Sequence, residues 1–197
     1  VAAGADLLNK KYKKKLFVHE WATDYHEDTC ETFRQNFFAD NPEKVVCEDI
    51  RKINFSRTKA FTPVDGLTFG FPCNDFSIVG ESKGVLGEFG PLYSYCVKAL
   101  KYFKPKWFIA ENVGGIKSSD GGEAFKKIMS DFQKAGYRIY PHYYKFEEYG
   151  VPQSRHRVII VGIRNDLDIE FKIPKPSLKI KTAEQALANI NPNLPDQ

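Results

Sequence analysis

The chain has 197 residues, 42% of them hydrophobic, and a formal net charge of +4. A chain of this size can bury one sizeable core, so a single domain is the expectation. No apolar run approaches the length needed to cross a bilayer, and the first residues do not resemble a signal peptide, so we predict a cytoplasmic protein that contacts no membrane.

The modest positive charge permits a polyanionic partner without requiring one. The four cysteines, at positions 30, 47, 73 and 96, show no Cys-x-x-Cys spacing. This pattern favours reduced thiols and argues against both a zinc site and a disulfide framework, and we predict no metal.

Apolar runs alternate along the chain with segments of helical periodicity. Six runs rich in Val, Ile and aromatic residues are predicted strands, at residues 16–21, 45–48, 67–71, 107–110, 138–144 and 158–163. Three predicted helices, at 28–38, 91–103 and 122–135, lie between them. The alternation predicts an α/β domain with a mostly parallel sheet and helices on both faces. A short connection joins the last two strands, so that pair is predicted to be antiparallel.

Cys73 follows the proline that ends the third apolar run. This position puts a thiol at the carboxyl end of a buried strand, where open α/β sheets bind their ligands. A Pro-Cys pair alone is a weak signal, because most free cysteines are small core residues. Cys73 is therefore a candidate nucleophile that needs support from other segments.

Two further segments give that support. The run that begins at Trp107 ends in Glu111, Asn112 and Val113, which repeats the arrangement at Cys73. Arg155 and Arg157 occupy alternate positions at the start of the last predicted strand, so they are expected to share one face. A thiol, a carboxylate and two guanidinium groups can then meet at one rim of the sheet.

These motifs resemble those of the DNA (cytosine-5) methyltransferase family. Residues 70–77 resemble its nucleophile motif, 111–113 its Glu-Asn-Val motif, and 153–157 its Gln-x-Arg-x-Arg motif, in the family's order. The resemblance covers about residues 16–163 and implies a Rossmann-like fold that depends on S-adenosylmethionine, with an antiparallel last strand. It also implies an enzyme of bacterial or phage origin that acts on double-stranded DNA in restriction-modification.

The resemblance assigns a role to each motif residue. Cys73 would add to carbon 6 of cytosine, Glu111 would interact with ring nitrogen 3, and Arg155 and Arg157 would hold the base carbonyl and a phosphate while lowering the thiol pKa. The target base would be swung out of the duplex, and the glycine-containing loop at 78–90 could close over it. Substrate contacts are expected from these residues: Asn74, Ser77, Ser82, Lys83, Asn112, Val113 and Gln153.

The cofactor side is predicted in the first half of the chain. Glu20 is placed at the end of the first predicted strand, where a carboxylate can bind both hydroxyls of a ribose. Trp21 offers a flat face for adenine, and Asp49, followed by Ile50, could accept from the adenine amine. The family's pattern adds Phe71 and Pro72 to this list. For Glu20 and Asp49 the alternative is simple capping of the next helix.

Two departures from the family's pattern leave alternatives open. The glycine-rich first motif is not recognisable in residues 1–6, and the target-recognition domain is not found in this chain. A missing carboxyl-terminal region or a second subunit would then supply target recognition. The alternative functions are a non-catalytic nucleic-acid-binding module with this fold, or an RNA cytosine-5 methyltransferase.

Overall fold

A computed structural model describes residues 1–72, 92–117, 122–177 and 180–188. The helices in these ranges are α1 (Ala2–Tyr12), α2 (Glu27–Phe37), α3 (Leu92–Phe103), α4 (Glu123–Lys134) and α5 (Ala183–Leu187). The strands are β1 (Ala22–Asp24), β2 (Val45–Cys47), β3 (Gly66–Gly70), β4 (Trp107–Val113), β5 (Tyr137–Lys145) and β6 (His156–Arg164). None of the helices in the described ranges is long and apolar enough to cross a membrane.

The six strands form two sheets. β1 and β2 pair in parallel, and the other four form a sheet in the order β3-β4-β6-β5. β3 and β4 are parallel, whereas β6 runs antiparallel to both of its neighbours. The predicted α/β fold with an antiparallel last strand is therefore confirmed, with β6 inserted between β4 and β5.

The main core lies between the four-stranded sheet and helices α3 and α4. Alternate residues of β4 and β6 face it, because side chains in a strand alternate between the two faces. On β4 these are Phe108 and Ala110, and on β6 they are Val158 and Ile160, all four fully buried. The helices contribute apolar side chains that include Leu100, Ile128 and Phe132.

A smaller apolar cluster joins α2 to the two-stranded sheet. It consists of Cys30, Phe38 and Val45, with Phe33, Phe37, Ala22 and Cys47 packed around it. The strand that precedes α2 is therefore placed by far fewer apolar contacts than the strands of the main core.

The prediction of a strand at residues 16–21 was wrong. β1 begins only at Ala22, while Leu16, Phe17 and Val18 are exposed. The side chain of Asn9 binds this segment: its Oδ1 accepts from the backbone N–H groups of Leu16 and Phe17, and its Nδ2 donates to the Phe17 carbonyl. Local hydrogen bonds to Asn9 thus replace the ladder that a strand would need.

Candidate active site

The first half of the site forms where β3 ends. Phe71, the residue after Gly70 and its strand, is buried, and Pro72 is half-buried. The Nδ2 atom of Asn112 donates to the Phe71 carbonyl over 3.0 Å. This bond fixes the main chain two residues before Cys73. Cys73, Asn74, Ser77, Ser82 and Lys83 lie outside the described residues, and so does the loop at 78–90.

Asn112 is a buried member of the predicted motif, with 2% of its surface exposed. Its Nδ2 is bound to Phe71, and its Oδ1 accepts from the backbone N–H of Val113 at 2.8 Å. A buried amide with both ends hydrogen-bonded fits a residue that shapes the site better than one that touches substrate. Val113 has 42% of its surface exposed and its contact with substrate stays a prediction.

Glu111 and Arg157 meet on the sheet face opposite the main core. Glu111 lies beside Gly70 in the β3–β4 pairing, and Arg157 lies beside Val113 in the β4–β6 pairing. The Nε of Arg157 is 2.7 Å from Oε1 of Glu111, with the Arg157 side chain 19% exposed and that of Glu111 43% exposed. A half-shielded ion pair of this kind holds both groups in a defined orientation next to the end of β3.

Arg155 and Gln153 are both exposed and precede the strand. The carbonyl of Arg155 accepts from the N–H of Phe146 at 3.0 Å, which fixes its backbone. Of the two predicted arginines, the structure therefore brings Arg157 to Glu111. Arg155 is exposed and lies one residue before β6.

Of the predicted cofactor residues, Glu20 and Trp21 lie just before β1, whereas Glu20 was expected at the end of the first strand. Glu20 lies before β1, and its Oε2 is 3.7 Å from Nζ of Lys44. The Trp21 ring packs against Phe61 and Phe103, with ring centroids 4.7 Å and 5.1 Å away, and its N–H donates to the Thr62 carbonyl. Trp21 is thus part of the aromatic packing that joins β1 to α3, and its contact with adenine stays a prediction.

Sequence reasoning missed Asp24 as the carboxylate at the end of β1. In the parallel pairing it lies beside Cys47, and Asp49 follows two residues after Cys47. The carboxyl ends of neighbouring parallel strands lie at one edge of a sheet, so Asp24 and Asp49 share that edge. The signal in the sequence was an aspartate two residues before the helix N-cap, His26, but the misplaced strand at 16–21 obscured it.

Asp49 binds the guanidinium group of Arg51 through both carboxylate oxygens, with the shortest distance 2.6 Å. These hydrogen bonds lower the pKa of Asp49 below its ordinary value. Asp49 therefore stays ionised at neutral pH and can accept from a ligand N–H. The neighbouring Ile50 is half-buried, as a residue that lines an adenine pocket would be.

Comparison with solved structures assigns the fold to the methyltransferases. The chain superposes on a DNA modification methyltransferase encoded within a prophage of E. coli with a TM-score of 0.71 and 24% identity. That match covers 90% of this chain and 50% of the other. The Dnmt2 methyltransferase of S. pombe gives a TM-score of 0.62 and 19% identity over 86% of this chain and 50% of the other.

Comparison of sequences identifies the family. A model of the C-5 cytosine-specific DNA methylases matches residues 2–197, and the chain therefore belongs to that family. The Type II methyltransferase M.BbvI of Brevibacillus brevis is 55% identical over 88% of this chain and 48% of its own length. M.NgoFVII of Neisseria gonorrhoeae is 38% identical over 88% of this chain and 47% of its own length. The chain thus spans about half the length of these curated relatives.

Proposed function

We propose that this chain forms the catalytic core of an enzyme that methylates carbon 5 of a flipped-out cytosine in double-stranded DNA. The observation that carries the proposal is the Glu111–Arg157 ion pair at 2.7 Å, beside the strand that leads to Pro72 and Cys73. Family membership supports the reaction class. S-adenosylmethionine would supply the methyl group.

The chemistry explains why these residue types are needed. Carbon 5 of cytosine is a weak nucleophile, so the thiolate of Cys73 first adds to carbon 6 and makes the ring an enamine. Glu111 would hold a proton at ring nitrogen 3, where negative charge otherwise accumulates. After carbon 5 is methylated, a water molecule would take the proton from carbon 5. The electron pair of that C–H bond then forms the double bond between carbons 5 and 6, and the Cys73 thiolate is expelled. The products are 5-methylcytosine and S-adenosylhomocysteine.

For the cofactor we propose Asp24 and Asp49 as the two carboxylates, for ribose and adenine respectively. Asp24 ends β1 and Asp49 follows β2, which puts both at the ligand-binding edge of a parallel pair. Tyr25, with 77% of its surface exposed next to Asp24, is the aromatic residue available for the adenine ring. Glu20 and Trp21, predicted from the sequence, are the alternative to Asp24 and Tyr25 for these two roles. Phe71 and Pro72 would lie near the transferred methyl group.

We further propose that target recognition depends on a part of the enzyme outside this chain, in the same polypeptide or in a second subunit. The supporting observation is that the matched relatives are about twice as long. Arg155, Gln153 and the residues of the 78–90 loop would then contact the DNA backbone around the flipped base.

A covalent trap tests the proposal. With S-adenosylmethionine present, the full-length protein should form a stable adduct with duplex DNA that carries 5-fluorocytosine at the target. After methyl transfer, the fluorine occupies the place of the proton that must leave carbon 5 before the Cys73 thiolate can be expelled. The Cys73→Ser variant should form none, whereas the control variant Cys96→Ala should still form it, because Cys96 packs in the main core. An adduct with the serine variant, or one formed on RNA and not on DNA, would contradict the proposal.

A further inference from the structure

A second polar cluster lies behind the Glu111–Arg157 pair, on the other face of β6. His156 directly precedes Arg157, and adjacent residues of a strand point to opposite faces. The Nε2 atom of His156 is 2.7 Å from Oε1 of Glu147. Glu147 belongs to the short 3-10 turn Phe146–Tyr149, which leads from β5 toward β6. The His156–Glu147 contact therefore joins the two ends of the connection.

The Glu147 carboxylate is suited to a strong contact. Its own backbone N–H, followed by His156, lowers the pKa of Glu147 below the ordinary value. The group is thus ionised at neutral pH, and hydrogen bonds to an ionised acceptor are about twice as strong as neutral ones. The side chains are 37% exposed for His156 and 23% for Glu147.

Tyr143 connects this pair to the strand that carries Glu111. Its ring centroid lies 5.6 Å from that of His156 in an edge-on arrangement. A Cβ atom added to Gly114, the residue that follows β4, would be only 2.7 Å from the Tyr143 ring. The ring therefore fills the space between the start of β6 and the end of β4. Its packing sets the spacing of the strand ends that carry Arg157 and Glu111.

The main chain of His156 also binds the Arg157 guanidinium directly. Nη1 of Arg157 donates to the His156 carbonyl at 2.7 Å, while Nε faces Glu111. The Nη1 group of Arg157 is thus held by the backbone of β6, and its Nε group is held by the carboxylate of Glu111. A displacement of the β6 start would move both contacts together.

We infer that Tyr143, Glu147 and His156 form a positioning cluster that holds Arg157 in the orientation that pairs with Glu111. The three are positioning residues, since each acts through Arg157. The inference rests on the proposed function for its effect on rate. It adds a second layer, on the core side of the sheet, that keeps the reacting carboxylate in place.

Double-mutant cycles in the full-length protein test the inference. His156→Ala should slow adduct formation with 5-fluorocytosine DNA by about tenfold to a hundredfold, the effect of a small misplacement of a catalytic group. In an Arg157→Lys background the same change should have an effect of less than about twofold, because residues that act through one another are not additive. Affinity for S-adenosylmethionine should not change.

Two sets of variants serve as controls. Glu147→Gln keeps a hydrogen-bond acceptor for His156 and should retain most of the rate, whereas Glu147→Ala should match His156→Ala. His19 forms the same kind of contact, with its Nε2 2.9 Å from Oδ1 of Asp6. Because His19 is not part of the cluster, the effect of His19→Ala should add to that of Arg157→Lys.

A second measurement does not depend on activity. In ¹⁵N NMR spectra of the protein, the Arg157 Nε–H resonance should be protected from solvent exchange in the wild type and lose that protection in Glu147→Ala and His156→Ala. Unchanged protection, or equal slowing by His156→Ala in both backgrounds, would overturn the inference. If the wild type forms no adduct but the protection is lost as expected, the proposed function fails while the cluster stands. Should His156→Ala not fold, His156→Gln takes its place in both measurements.

Discussion

The carboxylate of Asp24 already stabilises the protein before any ligand binds. Its Oδ1 accepts from the backbone N–H of His26 at 2.9 Å, at the point where α2 begins. A helix start leaves backbone N–H groups without partners, and an acceptor there stabilises the helix. A ribose at this edge would be bound by a residue whose orientation the helix start has fixed.

Asp24 and Glu20 are the two candidates for binding the ribose, and their variants should differ in cofactor affinity. Asp24→Ala should weaken binding of S-adenosylmethionine by about 1–3 kcal/mol, the usual effect of leaving a buried polar partner unpaired. Glu20→Ala should change it by less than about 0.5 kcal/mol, as for other surface changes. Isothermal titration calorimetry measures both.

A stability control shows whether the loss arises at the ligand. Asp24→Asn keeps an acceptor for the His26 N–H, so its melting temperature should stay close to that of the wild type while its cofactor affinity falls. If Glu20→Ala binds S-adenosylmethionine more weakly than Asp24→Ala does, then Glu20 and not Asp24 binds the ribose.

Tyr137, the first residue of β5, gives a second prediction through its buried hydroxyl. The hydroxyl donates to the Pro105 carbonyl at 2.9 Å, and burial raises the pKa of Tyr137 to about 12. An unfolded tyrosine titrates near pH 10. Between about pH 10 and 12 the unfolded chain therefore releases a proton that the folded chain retains, so the free energy of unfolding falls as the pH rises through this window.

Urea denaturation at pH 8 and pH 11 measures the effect. Tyr137→Phe should lower the free energy of unfolding by about 1–3 kcal/mol at pH 8, because the Pro105 carbonyl loses its donor. The difference between variant and wild type should shrink at pH 11. The control Tyr12→Phe, at a position 60% exposed, should follow the wild type at both pH values. A constant difference for Tyr137→Phe would contradict the raised pKa.

At the scale of elements, β4 and β6 approach each other closely at Gly162. Gly162 lies beside Phe108 in the pairing, and a Cβ atom on Gly162 would be 1.9 Å from the Phe108 ring. The ring therefore lies over the glycine backbone, and any side chain at 162 would displace it. This requirement explains a glycine in the middle of a buried strand, where it is otherwise unfavourable.

Gly162→Ala should destabilise the fold by about 1–3 kcal/mol or more through overpacking. The same substitution at Gly4, in α1, meets no atom within 4 Å and should stabilise the helix by up to about 1 kcal/mol. Chemical denaturation of the two variants gives both values. Equal stability of the two would show that Phe108 can move aside without loss.

The elements that could be predicted from the sequence are those with buried, periodic apolar residues. The runs that became β3, β4, β5 and β6 face the main core, so their pattern carried the information. α1 was missed because it has no buried residues and hence no apolar face to detect. The segment at 16–21 has a strand-like composition, but the side chain of Asn9 determines its backbone hydrogen bonds, and a contact of that kind leaves no periodic signal.

The catalytic motifs were predictable for a different reason. Glu111 and Arg157 are adjacent in space because β4 and β6 pair, and the sequence had predicted that the two groups meet at one rim of the sheet. Asp24, the carboxylate that we propose for the ribose, was not predictable, since its position depends on where a three-residue strand begins. The cluster of Tyr143, Glu147 and His156 could not be predicted from the sequence either, because its contacts depend on the register between β5 and β6.

For the whole molecule, the chain spans about half the length of its relatives, and this fact leads to a prediction about how it binds DNA. We expect the 197-residue polypeptide alone to bind duplexes without regard to sequence, because phosphate contacts carry no sequence information. A protein that makes six to ten such contacts loses about 10³–10⁵ in affinity between 50 and 200 mM salt, so the measured binding should fall steeply over that range.

A filter-binding series with several duplexes at the two salt concentrations measures this, and a tritiated-methyl assay on the same samples follows the reaction. Little methyl transfer is expected until the part that reads the target is supplied. Site-specific methylation by this polypeptide alone, at about 1 s⁻¹ or faster as in ordinary enzymes, would show that it needs no further part.

The division of the strands into two sheets has a consequence for the order in which the molecule opens. In the described part of the chain, the β1–β2 pair has three residues per strand and only three buried residues in its apolar cluster. Two-stranded sheets are marginally stable by themselves, so the amides of β1 and β2 should exchange with deuterium well before those of β4 and β6. Asp24 and Asp49 lie on this less protected part, and a ligand that binds them would stabilise it by mass action. Occupancy of the proposed cofactor site should therefore be measurable as slower exchange in β1 and β2, with no change in the exchange of the four-stranded sheet.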